Sequence, residues 1–401
     1  MSAQRENGAA SQPSWASIHL NAIRGLAALL VVMGHERGLI FSSPTAVAAS
    51  SPATDPALPA QAAITIGLEA VMVFFVLSGY LVGGSVVKAM ANGRWCWSDY
   101  LLRRLTRLWV VLLPALLIGF CIDWTGNHIF AGAGGLYDAP AGQDYVLTRD
   151  FSQMWNGSIF LGNLLFLQTI LVPLAGTNMA LWSLCNEFWY YIVFPLFALA
   201  VLGGGGIFSR ALAFLAGVAL LAMTGAHTAF LFLVWLLGVA VAVAPLRLNR
   251  KAAMVLSAAA PFALVFAFVF VKKHVGETYL AEMTIGLLFA FALYAIRHLE
   301  TPARPGFYIT LSGFLSNMSY TLYLTHLPVL VFLSAAFDRP WRVHGASPLS
   351  LAQFGGTIAC ALLVAWLVYL PFEANTDRIR ARLAQWLGSL RPIRALAGRQ
   401  A

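Results

Sequence analysis

Arg24 and His35 stand eleven positions apart in an otherwise apolar run, 18–41. At about 100° per residue, eleven steps make about three turns plus 20°, so both project from one helix face, about 16 Å apart along its axis. An imidazole titrating near neutrality can take a proton from a hydroxyl, and a guanidinium can hold an anion or a developing oxyanion. Ionisable groups inside an apolar span are costly and functional by default. The competing account is an arginine snorkelling to the headgroups and a histidine satisfied by an interhelical hydrogen bond.

Other residues with chemical potential recur along the chain. Arg103-Arg104-x-x-Arg107 opens the third apolar stretch. Arg103 and Arg107 are four apart and share a helix face, and guanidinium forks suit bidentate phosphate binding. The plainer account is a positive anchor at the inner surface or a contact with anionic lipid. Glu187 starts an apolar helix just after Trp182-Ser183. A carboxylate buried there needs a partner or a proton; Tyr191 at i+4 is within reach, and first-turn capping is the rival role. The segment Ser319–His326 sets a second histidine near mid-span, with Tyr323 one turn before it. Structure and catalysis compete equally for His326. Ser78-Gly79 lets another backbone come close, as small residues do between membrane helices. Glu69 belongs near the outer boundary, where water can solvate it.

These residues must be positioned by membrane helices. Of 401 residues, 60% are hydrophobic and only 10% are Asp, Glu, Lys or Arg, against about a quarter charged in soluble domains. Mean hydropathy is +0.76. A soluble enzyme is excluded. Apolar stretches near the required length of about 20 residues predict ten spans: 18–41, 64–86, 105–122, 180–202, 211–224, 229–244, 252–271, 280–296, 318–336 and 350–372. The fold expected is an all-α bundle of about ten transmembrane helices over 18–372. It has a short cytoplasmic tail at 1–17 and a basic cytoplasmic tail at 373–401.

Charge asymmetry sets the orientation. With both termini inside, 18 of 25 basic residues fall on cytoplasmic segments, including Arg247, Arg250, Lys251 and six arginines from Arg378 onward. Only Arg37, Arg149, Lys272, Lys273, Arg339 and Arg342 face outside. An additional crossing by 158–174, which is broken by Gly162, Asn163, Gln168 and Pro173, would invert everything after it. That stretch is therefore expected at the outer interface or folded back into the bundle. Loops 42–63 and 123–157 are expected as external caps. The first span is a retained helix rather than a signal peptide, because its polar lead is too long and cleavage near Ala48 too late. The net charge of +9 reflects this topology rather than nucleic-acid binding. Four cysteines in no paired spacing suggest neither a disulfide framework nor a zinc site.

Taken together, the motifs resemble the membrane acyltransferase 3 family, which acylates sugars of bacterial surface glycans. The resemblance runs from about 18 to 375. It is carried by Arg24-Gly25-Leu26-Ala27-Ala28 with His35, Phe74-Phe75-Val76-Leu77-Ser78-Gly79-Tyr80 and Arg103-Arg104-x-x-Arg107. It continues in Trp182-Ser183-Leu184-x-x-Glu187, Ser319-Tyr320-x-x-Tyr323-Leu324-x-His326 and Phe372-Glu373. Met72 stands where members often have an acidic residue, and Ala374 where a proline often follows. No fused extracellular hydrolase-like domain is expected.

The resemblance implies a stand-alone, multi-pass enzyme of the bacterial inner membrane. It implies transfer of an acyl group, acetyl most often, from cytoplasmic acyl-CoA to a hydroxyl of a polysaccharide, lipopolysaccharide or glycolipid. No permanent cofactor or metal is implied; partners are acyl-CoA, the carbohydrate acceptor and membrane lipid. His35, Glu187 and Arg24 would be catalytic, with Glu187 orienting His35 if the helices bring them together. Arg103, Arg104, Arg107, Ser78 and Gly79 would bind acyl-CoA. Trp182, Ser183, Tyr191, Tyr323 and His326 would contact or support substrate. Two other readings stay open. A glycan or proton-coupled transporter also carries intramembrane Arg, His and Glu, though no internal repeat is present. A metal-dependent hydrolase could use His35, Glu36, Glu187 and His326, though no HExxH spacing exists.

Overall fold

The computed structural model describes residues 13–41, 67–132, 136–138, 151–245, 247–274, 279–303, 306–337 and 347–389. Residues 1–12 and 390–401 of the two tails, the 42–63 loop, and Arg149, Arg339 and Arg342 lie outside these residues. Among those described, every named element is helical. This suits a bilayer, where a helix satisfies its own backbone groups.

Helix α1 is Trp15–Ile40; its N-cap Ser14 accepts from the Ser17 nitrogen at 3.2 Å. Helix α2, Gly67–Ser78, runs through a π-helical turn, Gly79–Gly83, into α3, Gly84–Ala91. Then follow α4, Trp97–Phe130, the short α5, Phe151–Met154, and α6, Gly157–Leu164. The second half comprises α7 (Leu181–Leu202), α8 (Ile207–Met223), α9 (Ala226–Val243), α10 (Arg250–His274) and α11 (Tyr279–Ile296). After these come α12 (Phe307–Asn317), α13 (Ser319–Phe337), α14 (Pro348–Tyr369) and α15 (Thr376–Ser389).

Eight helical stretches among the described residues are long and apolar enough to cross a membrane, α8 being a shorter apolar helix. Rings such as Phe208, Phe262 and Phe291 lie on the outside of the bundle, where lipid replaces a protein neighbour. The segment 158–174 does not form a spanning helix. Eight-residue α6 covers about 12 Å before the chain turns back through Phe166 and Thr169, both at positive φ. Phe166 and Gln168 are fully buried, so this segment folds into the bundle.

Helix α4 departs from the expected 105–122 span. Its 34 residues make a rod of about 51 Å. The rod continues through Asp123 because that carboxylate is buried and fully engaged. It accepts from Trp155 Nε1 at 3.0 Å, the Thr177 nitrogen at 2.9 Å and Thr177 Oγ1 at 2.7 Å. The helix therefore extends into what hydropathy assigns to a loop. Glu69, Glu36 and Arg37 are likewise buried rather than solvated at the outer boundary. Glu36 accepts from Thr357 and from Ser334.

Two features place the site. Helix α13 is the central strut, most of its residues buried, and it packs on α1, α4 and α14. Helices α2 and α9 cross at Gly79 and Gly238. A Cβ on Gly79 would lie 2.9 Å from the Trp235 carbonyl carbon, and one on Gly238 2.6 Å from the Tyr80 nitrogen. Only glycine permits backbones this close. The start of α1 is pinned to the chain after α11, Ala16 N donating to Leu299 O at 2.8 Å and Ala303 N to Pro13 O at 3.0 Å. These segments share one face of the bundle; the N-terminal ends of α7, α9 and α11 lie at the other.

Candidate active site

Five helices converge on a cavity of about 160 Å³. Helix α1 contributes Arg24, α2 Phe74 and Ser78, α4 Arg104 and Arg107, α7 Ser183, Glu187 and Tyr191, and α13 Tyr320 and Tyr323. Ten residues from distant parts of the chain thus meet in one small space.

Glu187 anchors one wall. It accepts from Ser78 Oγ at 2.9 Å and from the Tyr191 hydroxyl. Ser78 accepts in turn from Trp235 Nε1 at 3.1 Å. The Gly79–Gly238 crossing brings α9 close enough to deliver this indole. The expected i,i+4 contact of Tyr191 with Glu187 is therefore present. Glu187 accepts its hydrogen bonds from Ser78 and Tyr191, while the ring set against His35 belongs to His326. Ser183 and Tyr323 meet across the cavity, their hydroxyls 2.6 Å apart.

The opposite wall is cationic. Arg24 donates to the Ser316 carbonyl at 3.3 Å and to the Ser316 hydroxyl, which itself donates to Asn21 at 3.2 Å. Arg107 lies over the Tyr320 ring, 5.7 Å from its centroid, and pairs with Glu373 at 3.5 Å. Glu373 is buried and also accepts from the Thr321 nitrogen at 3.0 Å and from Thr321 Oγ1 at 2.7 Å. Arg104 stands 5.8 Å from the centroids of both Tyr100 and Tyr191. Its Nε is buried with no hydrogen-bond partner among the described residues.

Of the three expected arginines, Arg104 and Arg107 line the cavity, whereas Arg103 is exposed and donates Nε to its own helix at Asp99 O, 3.3 Å away. The reason is helix phase: the inward stripe of α4 carries Tyr100, Arg104, Arg107 and Leu108, and Arg103 falls one step to its side. Gly79 packs at the helix crossing and is not among the cavity-lining residues. Trp182 turns its ring toward Phe75 and His227.

His35 and His326 form a pair of their own, rings edge to face at 5.3 Å. His326 is fully buried, and its Nδ1 lies 3.0 Å from the Leu322 carbonyl. That contact fixes the proton on Nδ1 and leaves Nε2 as the basic nitrogen, with no partner among the described residues. The Tyr323 ring, 6.0 Å from His326, separates this pair from the cavity. Glu373 gained no role from its sequence neighbourhood. Its partners lie 52 and 266 positions away, and the Phe-Glu motif was the sole pointer to it.

Comparison with protein families matches residues 18–370 to the acyltransferase domain of acyltransferase 3. The chain belongs to the acyltransferase 3 family. It is an acyltransferase, and its apolar helices make it a multi-pass membrane protein. The match takes in the helices from α1 to α14 and all the cavity-lining residues, and it stops short of Glu373, the buried partner of Arg107. No curated protein and no solved structure matches the chain.

Proposed function

We propose that this acyltransferase moves an acyl group, acetyl first among candidates, from acyl-CoA to a hydroxyl of a sugar in a surface polysaccharide or glycolipid of a bacterium. The observation that carries the reading is Arg104. A half-buried guanidinium with an unpartnered Nε, set beside a cavity and braced by two tyrosine faces, calls for an anion. Arg107 stands one turn further on and Arg24 across the gap. Two carboxylates, Glu373 and Glu187, stand against three guanidiniums and leave a net positive charge; Glu373 pairs with Arg107, while Glu187 accepts from Ser78 and Tyr191 rather than from Arg104 or Arg24. The pyrophosphate of CoA supplies the missing charge, and guanidiniums suit it better than ammoniums do.

In this reading the donor enters from the face of the bundle that carries the basic loops, taken as cytoplasmic. The thioester reaches past Phe74, Phe75 and Leu184, whose apolar surfaces in so small a cavity favour a short acyl chain. Arg24, about 16 Å from His35 along α1, lies with Arg104 and Arg107 at the pantetheine and pyrophosphate end of the donor. Beyond the Tyr323 ring, His35 takes the proton from the acceptor hydroxyl as its oxygen attacks the thioester carbonyl that has reached past that ring, giving a tetrahedral intermediate. Collapse breaks the carbon–sulfur bond, and CoA leaves as thiolate to be protonated, giving a sugar ester and free CoA. His326 holds the His35 ring edge-on, and the Ser78–Glu187–Tyr191 cluster fixes the wall against which the acyl group lies.

The test uses purified protein in detergent with acetyl-labelled acetyl-CoA and base-de-esterified surface glycan. Label should appear on the glycan, and His35→Ala should abolish that transfer while membrane expression persists. Wild-type turnover in that variant sinks the assignment of His35. A glycan transporter would bind the sugar and form no ester, which would sink the transfer reading.

A further inference from the structure

A second pocket, of about 500 Å³, lies at the N-terminal ends of α7 and α9. Its lining includes Trp182, Asn186, Thr224, His227, Thr228 and Glu282. None of these lines the arginine cavity. The two spaces share a helix: α7 turns Ser183 and Glu187 to the cavity, and Trp182 and Asn186 to this pocket. Those are two i,i+4 pairs displaced by one residue, hence by about 100° around the axis. Trp182 also meets Phe75, a residue of the cavity wall, with ring centroids 6.1 Å apart.

We infer that this pocket binds the carbohydrate acceptor, an inference that rests on the acyl-transfer reading for the chemistry after binding. First, two aromatic rings line it, Trp182 and His227. His227 is stacked between Trp182 at 6.1 Å and Tyr279 at 5.5 Å, each inclined 22°, and Phe230 backs Tyr279 at 4.7 Å. Such amphipathic rings present apolar C–H edges beside polar tips, a combination that matches the mixed C–H and hydroxyl surface of a pyranose. His227 is exposed, so its edge is open to a ligand in the pocket.

Second, unmet hydrogen-bonding capacity of both signs is buried in the same pocket. Glu282 accepts from His227 Nε2 at 2.9 Å through one oxygen, and the other has no partner among the described residues. Asn186 accepts from Thr228 Oγ1 at 2.9 Å, and its Nδ2 likewise has no partner among them. Both residues are more than nine-tenths buried. A native structure rarely leaves such groups orphaned. A cation would satisfy the carboxylate but not the amide donor, and a phosphate the reverse. A polyol satisfies both, because each hydroxyl donates and accepts. Thr224, Thr228 and Thr169 add further hydroxyls to the wall. The volume falls within the range of about 300–1,000 Å³ usual for small-molecule sites.

The pocket is tested by equilibrium binding without any donor. The probe is the oligosaccharide fraction of the host's surface glycan, stripped of esters by base, added to full-length protein in detergent. Wild type should bind, and His227→Ala, at an exposed lining position, should weaken binding about tenfold. Glu282→Ala should weaken it further. Acetyl-CoA affinity should stay within about twofold in both variants, consistent with a site apart from the arginines. Failure of wild type to bind the probe, or unchanged affinity in every variant, overturns the inference. Selective loss of glycan binding, in a protein that forms no ester with acetyl-CoA present, upholds the pocket and overturns the transfer reading instead.

Discussion

Glu373 offers a quantitative check on how the cavity is held. Its carboxylate serves two masters, the buried Thr321 on α13 and the guanidinium of Arg107 on α4, whose side chain is 42% exposed. Hydrogen bonds to a buried charge are worth about 1.5–3 kcal/mol each, so the two Thr321 bonds contribute about 4 kcal/mol. An ion pair at 3.5 Å with a solvent-accessible arginine adds under about 1 kcal/mol once screening is counted. Glu373→Ala should therefore cost about 4 kcal/mol. Glu373→Gln keeps an acceptor for Thr321 at neutral strength and should cost about 2 kcal/mol. Reversible unfolding in mixed micelles, run as two double-mutant cycles, separates the partners. Thr321→Val against Glu373→Gln should show coupling of about 1–2 kcal/mol, and Arg107→Gln against Glu373→Gln under about 1 kcal/mol. The reverse order, with Arg107 carrying the larger coupling, would refute the argument that burial decides which partner counts.

Arg107→Lys preserves charge but loses the planar fork, and should weaken acetyl-CoA binding about tenfold by equilibrium dialysis, whereas a topology anchor would not register the change. Arg103→Lys should leave the same affinity within about twofold, because that side chain lies outside the cavity. Gly79→Ala should lower the thermal midpoint in detergent and depress kcat by displacing Ser78; a cost below the usual ~1–3 kcal/mol of overpacking would show that the crossing relaxes easily. A cytoplasm-active reporter fused after Arg247 and a periplasm-active one after Arg339 should both be active; exchanged signals would invert the assigned faces.

Helicity, membrane insertion and most cavity residues could be read from the chain because they are local properties. Arg24, Glu187 and the 104/107 arginines are conspicuous as charges in apolar runs, and Tyr191 follows from i,i+4 spacing. Registers between helices are another matter. Nothing within 97–130 says that the inward stripe passes through Arg104 rather than Arg103, because neighbouring helices choose it. The same holds for the pairing of His35 with His326 and for Glu373 with Thr321. Asp123 reads as a loop residue until Trp155 and Thr177, on either side of the folded-back segment, supply its hydrogen bonds. His227 and Glu282 lie at the ends of two different helices, where a lone polar residue looks like ordinary solvated surface.

The meeting of Gly79 and Gly238 has a consequence for genetics. Spacing there is set by main-chain atoms on both sides, which cannot adopt another rotamer or shrink, so the crossing has no slack to absorb a substitution. The indole of Trp235 reaches Ser78, and through it Glu187, from that same contact. A random screen for inactive alleles should therefore recover the two glycines as often as the charged residues of the cavity. Ranked by phenotype alone, they would pass for participants in the reaction, though neither has a side chain with which to take part.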